Sequence, residues 1–312
     1  MKNVLFASTA LVAFSGAAVA DVALSGRAEM GLFGATNVDA QFFTDIDVTF
    51  TLTGETDNGL SFGASVDLDE GGAGAPAVAD NADDGGIAVF VRGDFGTVTL
   101  GDTDDALDWA LTEAGNVGNP GSINDDETGH AGYAGDYASS GSDGQVLRYD
   151  FSAGDFGVAV SVESDADGSL NQDEEYGFAI GVKYNLDLGG TTIALGLGYQ
   201  DSVLEESAVG VSATAKLDNG LSLGVVYADY SDSERDRDSQ VGVGIGYTTG
   251  ALTLHANYGM IDNDDGSDAT GFGLSAAYDL GGGAVAHFGY GDGEDAEGVD
   301  TRSASIGLGL SF

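Results

Sequence analysis

The sequence predicts an all-β protein: a 16-stranded antiparallel transmembrane β-barrel. Three observations carry that prediction. Apolar residues alternate with small or polar ones at a period of two through nearly the whole chain, the pattern of strands with two unlike faces. Many of these runs approach about ten residues, the length a tilted bilayer-crossing strand needs, whereas soluble sandwich strands average ~5–6. The connections alternate between short and long, as in a barrel with turns at one rim and loops at the other.

The elements follow in order. Met1-Lys2-Asn3 gives a basic start, Val4 to Phe14 is largely apolar, and Ala18-Val19-Ala20 places small residues where a signal peptidase cleaves. That apolar run is shorter than the ~20 residues of a spanning helix. Residues 1–20 are therefore assigned to a signal peptide and 21–312 to one barrel domain. In the first strand Val22, Leu24, Met30 and Leu32 oppose Ala23, Ser25, Arg27, Glu29 and Gly31. Next, Ile46, Val48, Phe50 and Leu52 alternate with Asp45, Asp47, Thr49, Thr51 and Thr53. The same two-faced reading continues through Leu60–Leu68, Phe156–Val162, Tyr176–Tyr184, Ile193–Tyr199, Val209–Leu217, Val241–Tyr247, Leu252–Tyr258, Phe272–Tyr278 and Ile306–Phe312. No helical period competes with it.

Ser239 to Ile261 lacks charged residues for 23 positions, long enough for a spanning helix, but contains five glycines. Each costs roughly 1 kcal/mol relative to Ala in a helix interior. Thr248-Thr249-Gly250 sits midway, so the segment is read as two strands and a hairpin turn. Other turns are Asp57-Asn58-Gly59 and Asp218-Asn219-Gly220, where Asn-Gly suits a type I′ turn. Longer connections are expected at about 34–41, 69–85, 102–144, 163–175, 200–207, 229–239, 260–270 and 291–301, giving sixteen strands, seven turns and eight loops. In a closed barrel every backbone group is paired, which hydrocarbon demands. The apolar set then faces lipid and the small or charged set faces a lumen. Tyr and Phe near strand ends suit interfacial girdles.

Composition excludes several classes. Without cysteine there is no disulfide scaffold and no thiolate metal site. With 52 acidic against nine basic side chains, nucleic acid is excluded as a partner. The 52 glycines show no collagen period, and 42% hydrophobic residues are too many for disorder.

Four phrases resemble the general diffusion porins of alphaproteobacteria, the Rhodobacter type. They are Asp57-Asn-Gly-Leu-Ser-Phe-Gly-Ala-Ser65, Asp94-Phe-Gly-Thr-Val-Thr-Leu-Gly-Asp102, Leu147-Arg-Tyr-Asp-Phe-Ser-Ala-Gly154 and Gly273-Leu-Ser-Ala-Ala-Tyr-Asp-Leu-Gly-Gly-Gly283. The resemblance spans the chain after the signal. It implies a homotrimer in the outer membrane of a Gram-negative bacterium, among lipid and lipopolysaccharide, passing small hydrophilic solutes and cations. It also implies a third long loop folded into the barrel, and the terminal Phe312 matches the family's insertion signal.

Charge placement then carries the function. The segment 102–144 holds ten acids, among them Asp102, Asp104, Asp105, Asp108 and Glu113, and no base. The wall supplies Arg27, Arg92, Arg148 and Lys183, with Glu29, Asp45 and Asp47 among them. Acids on the loop opposite bases on the wall would set a transverse field, and the acid excess predicts cation preference, screened by salt. No cofactor is required. Clustered carboxylates, Asp125, Asp126 and Glu127 together with Asp165/Asp167, Asp262/Asp264/Asp265 and Asp292/Glu294/Asp295, are candidate ligands for structural Ca²⁺, though none has EF-hand spacing, Gly266 standing where an acid would be wanted after Asp262. Two nucleophile-elbow patterns, Gly59–Gly63 around Ser61 and Gly220–Gly224 around Ser222, open strands instead of a strand-to-helix turn, so no enzyme is read. The alternative is a secreted or surface Ca²⁺-binding β-protein or adhesin without a pore. It would require tandem nonapeptide repeats, which are absent.

Overall fold

The structure is a computed structural model that describes residues 21–71, 86–133, 135, 145–164, 176–202, 206–231 and 237–312. The expected signal peptide, Asp136 and Asp143 of the long loop, and Asp165 and Asp167 lie outside the described residues. Sixteen strands close into one barrel: β1 (Asp21–Ala35), β2 (Val38–Glu55), β3 (Ser61–Gly71), β4 (Ile87–Gly93), β5 (Gly96–Gly101), β6 (Gln145–Ala153), β7 (Phe156–Ser164), β8 (Tyr176–Asp187), β9 (Thr191–Asp201), β10 (Ser207–Leu217), β11 (Leu221–Ser231), β12 (Arg237–Thr249), β13 (Leu252–Asn263), β14 (Asp268–Gly281), β15 (Ala284–Glu294) and β16 (Asp300–Ser311). Each pairs antiparallel with its sequence neighbours, and β1 closes on β16 with Met30 opposite Leu308. The Phe312 amide adds a bond to the Gly26 carbonyl at 2.9 Å, tying the C-terminal end to β1.

The faces are inverted relative to a soluble protein. In β9 the exposed residues include Leu195, Leu197 and Tyr199, while Gly196, Gly198 and Gln200 are buried. The same holds in β8, where Phe178 and Ile180 are exposed and Gly177, Ala179 and Gly181 buried. Large apolar side chains therefore form a continuous outer belt, and small ones line the inside. That arrangement is stable only where the outer solvent is hydrocarbon.

Strand ends depart from the expectation at one rim. Residues 34–41 form no loop: β1 and β2 meet at Thr36-Asn37, with Asn37 in the left-handed region at φ 62°. The β13–β14 and β15–β16 connections shrink to 264–267 and 295–299. Beyond the bilayer both faces of a strand are polar, so the alternation fades while the hydrogen-bond ladder continues. Asp292 opposite Arg302, joined by a 2.6 Å Nε–Oδ2 bond, is such a rim pair. Residues 239–261 are two strands, β12 and β13, as expected, and Ser61 and Ser222 lie in strands. The long connection after β5 carries a short helix, α1 (Ala106–Ala110), and a 3₁₀ turn at Ala114–Asn116. One helical turn is too brief to show a period.

Replacing Val211, exposed at the middle of β10, with Lys is expected to destabilise the barrel by about 2–4 kcal/mol in refolding into lipid vesicles, the cost of a base near the bilayer midplane.

Candidate functional site

Residues 102–133 run inside the barrel on a track of glycines. The Ala106 and Leu107 side chains are fully buried, and α1 lies across Gly181, Gly196 and Gly198 of β8 and β9. A Cβ at Gly181 would stand 1.9 Å from the Ala106 carbonyl oxygen, so nothing larger than Gly fits there. Leu111 then reaches Gly210, Val117 reaches Gly224, and Ala114 lies on Gly242 and Gly244. Ile123 fills the space beside Gly31 and Gly307, on β1 and β16. Asp125, in the left-handed region at φ 45°, turns the chain back, and its carbonyl accepts from the Thr128 and Gly129 amides. The return leg packs Glu127 on Gly273, His130 on Gly271 and Gly132 on Gly259; at Gly273 a Cβ would meet the Glu127 carbonyl oxygen at 1.8 Å. The loop thus covers the inner wall from β7 round to β1. The remaining lumen is bounded by the loop and by β2 to β6.

Polar side chains strap the loop in place. The Ala106 amide donates to Ser161 Oγ at 2.9 Å and the Thr112 amide to Ser212 Oγ at 3.0 Å. His255 Nδ1 donates to the Val117 carbonyl and His287 Nδ1 to the Gly121 carbonyl, each at 3.0 Å. Ser275 Oγ donates to Asn119 Oδ1 at 2.6 Å. Asn257 Nδ2 donates to the Glu127 carbonyl at 2.8 Å, and its Oδ1 accepts from His130 Nε2 at 2.7 Å. Burial holds the His130 imidazole below its ordinary value, and burial together with the neighbouring Glu113 carboxylate pushes the Tyr133 hydroxyl up.

The residues singled out by sequence fall into several places. Arg148 spans loop and wall: its guanidinium donates to the Asp104 carbonyl at 2.6 Å and to Asp150 Oδ1 at 3.4 Å. Lys183 lies 3.5 Å above the Trp109 ring. Arg27 pairs with Glu29 on its own strand. Asp104 keeps 67% of its side chain exposed, with Oδ2 3.9 Å from the Arg148 guanidinium, and Asp108 is half-buried on α1. Asp45 and Asp47 face the lumen on β2, against Asp69 and Asp67 of β3. Thr49 Oγ1 donates to Asp67 Oδ1 at 2.9 Å.

Others sit elsewhere than expected. Asp105 is buried as the cap of α1, accepting the Leu107 and Asp108 amides at 2.6 and 3.0 Å, and burial pushes its carboxyl up. Glu113 accepts from Tyr133 and from Asn116 Nδ2. Asp102 accepts the Gly86 amide at 3.0 Å beside β4. Arg92 lies next to the β4–β5 turn over the Phe90 ring, with no ion pair among the described residues. Asp125, Asp126 and Glu127 diverge: Asp126 takes its own amide's partner Ser122 and Asn124, Glu127 takes Asn119 Nδ2. Among the described residues no three carboxylate or imidazole groups are arranged to hold a metal ion. Asp67, Asp69, Asn257 and the serine straps carried no sequence signal beyond their inward parity.

The family model described as Gram-negative porin matches residues 7–298. A porin of Rhodobacter capsulatus is 31% identical over 293 residues, covering 85% of this chain and 91% of that protein. A porin structure refined at 1.8 Å superposes with a TM-score of 0.72 at 28% identity, over 93% of this chain and all of that one. A triple mutant of the Rhodopseudomonas blastica porin shares the fold with a TM-score of 0.68 at 21% identity, over the same 93% and its whole length.

Gly273→Val is expected to push the return leg off β14 and enlarge the unit conductance in planar bilayers. Gly26→Ala, whose Cβ would meet nothing closer than 3.4 Å, is expected to leave it unchanged.

Proposed function

The chain belongs to the Gram-negative porin family, a family of outer-membrane diffusion channels, and from that premise we propose a cation-preferring passage for small hydrophilic solutes whose constriction lies between the inner loop and the β2–β3 wall. The proposed unit is a homotrimer, as the resemblance of the sequence implies. One observation carries the preference: carboxylates stand on both sides of the lumen. Asp104 and Asp108 come from the loop, and Asp45, Asp47, Asp67 and Asp69 from the wall. The bases near them are already engaged. Arg27 is paired with Glu29, Arg148 with Asp150, with a loop carbonyl and at 3.9 Å with the Asp104 carboxylate, and Lys183 with Trp109. Such a lumen attracts cations from both walls instead of sustaining a field from acid to base.

Carboxylates lining a narrow aqueous passage concentrate cations and repel anions over about a Debye length, ~10 Å at 0.1 M salt and ~3 Å at 1 M. Permeation needs no tight binding, so hydrated solutes pass by diffusion, filtered by size and charge. The barrel supplies a rigid wall and the straps keep the loop from closing the lumen or leaving it.

Reversal potentials across a salt gradient test the reading. The wild-type protein is expected to favour K⁺ over Cl⁻ at low salt and to lose most of that preference near 1 M, where the Debye length is about 3 Å. Asp104→Asn with Asp108→Asn, and separately Asp47→Asn with Asp67→Asn, are each expected to move the reversal potential toward zero. Unchanged potentials in both pairs would remove these residues from the passage. Asp105→Ala acts otherwise: it removes the α1 cap, and its effect is expected in loop stability, about 0.5–2 kcal/mol, with little change in ion preference.

A further inference from the structure

The return leg of the loop is held by a chain of hydrogen bonds whose directions are fixed from both ends. A backbone carbonyl only accepts. The Val117 carbonyl therefore requires the proton on His255 Nδ1, and the Glu127 carbonyl requires one from Asn257 Nδ2. The amide nitrogen so oriented lies 3.2 Å from His255 Nε2 and directs its second proton there, so Nε2 carries none. Asn257 Oδ1, the other end of the amide, accepts the His130 Nε2 proton. His130 Nδ1 is buried against Gly271 with no hydrogen-bond partner. The chain is complete only with the His255 imidazole uncharged, whereas His130 donates from Nε2 in either form.

A proton added at His255 Nε2 would meet the Asn257 NH₂ group donor to donor. Rotating the amide by half a turn would satisfy that proton but aim Oδ1 at the Glu127 carbonyl, acceptor to acceptor. Either response breaks the bond from β13 to the loop. The Ser275 strap and the His287 strap do not share this constraint, because His287 Nδ1 donates to Gly121 in the neutral and the charged form alike. The groups that face these rings are few. The Glu127 carboxylate of the loop acts on His255 and His287, and Arg27 of β1 acts on His287. Tyr133 stands edge-on to His130 with ring centroids 5.9 Å apart. From the strands flanking β13, Gly246 and Ser275 lie opposite His255 and bring no charge.

We propose that Asn257 is a positioning residue of the channel, which holds the return leg of the inner loop against β13 only while His255 is uncharged, so that mild acid frees the leg and alters the passage. The proposal rests on the reading of the inner loop as the constriction.

Single-channel recording of the full-length protein between pH 8 and 5 tests it. In the wild type a single quiet open level at high pH is expected to give way to a fluctuating or second level, with a midpoint in the imidazole range of roughly 5–6.5, above the range where exposed carboxylates titrate. His255→Gln keeps an acceptor for Asn257 but takes up no proton, and is expected to lose the transition. Asn257→Leu is expected to show the second level already at pH 8. Should that variant fail to assemble, Asn257→Asp serves instead: a carboxylate beside His255 favours the charged ring and is expected to raise the midpoint by about one pH unit or more. A wild-type channel with no transition, or one unchanged in His255→Gln and in the Asn257 variant that assembles, overturns the proposal. Reversal potentials taken at pH 8 in the same membranes separate the two readings. Cation preference with no acid transition removes the strap alone, whereas an acid transition without cation preference removes only the selectivity assigned to the carboxylates.

Discussion

A backbone amide or carbonyl left unpaired in hydrocarbon costs several kcal/mol, and no water is present there to relieve it. The rest of this molecule depends on that constraint. An open sheet would leave two rows of such groups at its edges, so β1 must find β16, and the pairing runs from Arg27–Ser311 to Ala35–Ser303 without a break. Once the sheet is closed, each strand has one face toward acyl chains and one toward the interior. Leu, Val, Ile, Phe and Tyr occupy the first in every strand, which explains a surface that would aggregate in water.

The inner face is free of that demand, and the chain uses the freedom for glycine. With side chains absent at Gly181, Gly196, Gly242, Gly244, Gly273 and Gly291, a second layer of polypeptide can lie directly on the strand backbones. Among the described residues a core of the ordinary globular kind forms there: Ala106, Leu107, Leu111 and Ala114 pack with Ala159, Ala179, Ala208, Val226 and Ala228. The contact is intimate but shallow, since small residues bury little apolar area. Directional bonds from Ser161, Ser212, His255, Asn257, Ser275 and His287 supply the position that packing alone would leave loose. The barrel interior thereby carries a second layer about one chain thick along β7 to β16 and β1.

Electrostatics follows from which wall the loop leaves bare. The loop covers β7 to β16 and reaches β1, so the strands still facing water are chiefly β2 to β6. Their inward positions include Asp45, Asp47, Asp67, Asp69 and Asp150, with Arg148 drawn across to the loop. Inward parity puts the bases Arg27, Arg92, Arg148 and Lys183 on the inner wall, from β1 to β8. The bases exist, but each is spent locally on a carboxylate, a carbonyl or an aromatic face, and Arg92 stands at the turn rim.

The period-two pattern, the Asn-Gly turns and the single 43-residue connection at 102–144 were enough to determine a sixteen-stranded barrel and its lipid-facing set, because each is a local property of the chain. Parity also placed Arg27, Glu29, Asp45, Asp47 and Arg148 on the inside. Only the tertiary structure decided the rest. Whether Asp105 lines water or caps a helix turn, whether Glu113 is open or held by Tyr133, and which histidine meets which carbonyl depend on contacts between residues up to 166 positions apart. An inward glycine reads the same whether it faces water or a second layer of chain. The difference lies in what crosses the barrel above it, and a strand's own sequence carries no trace of that.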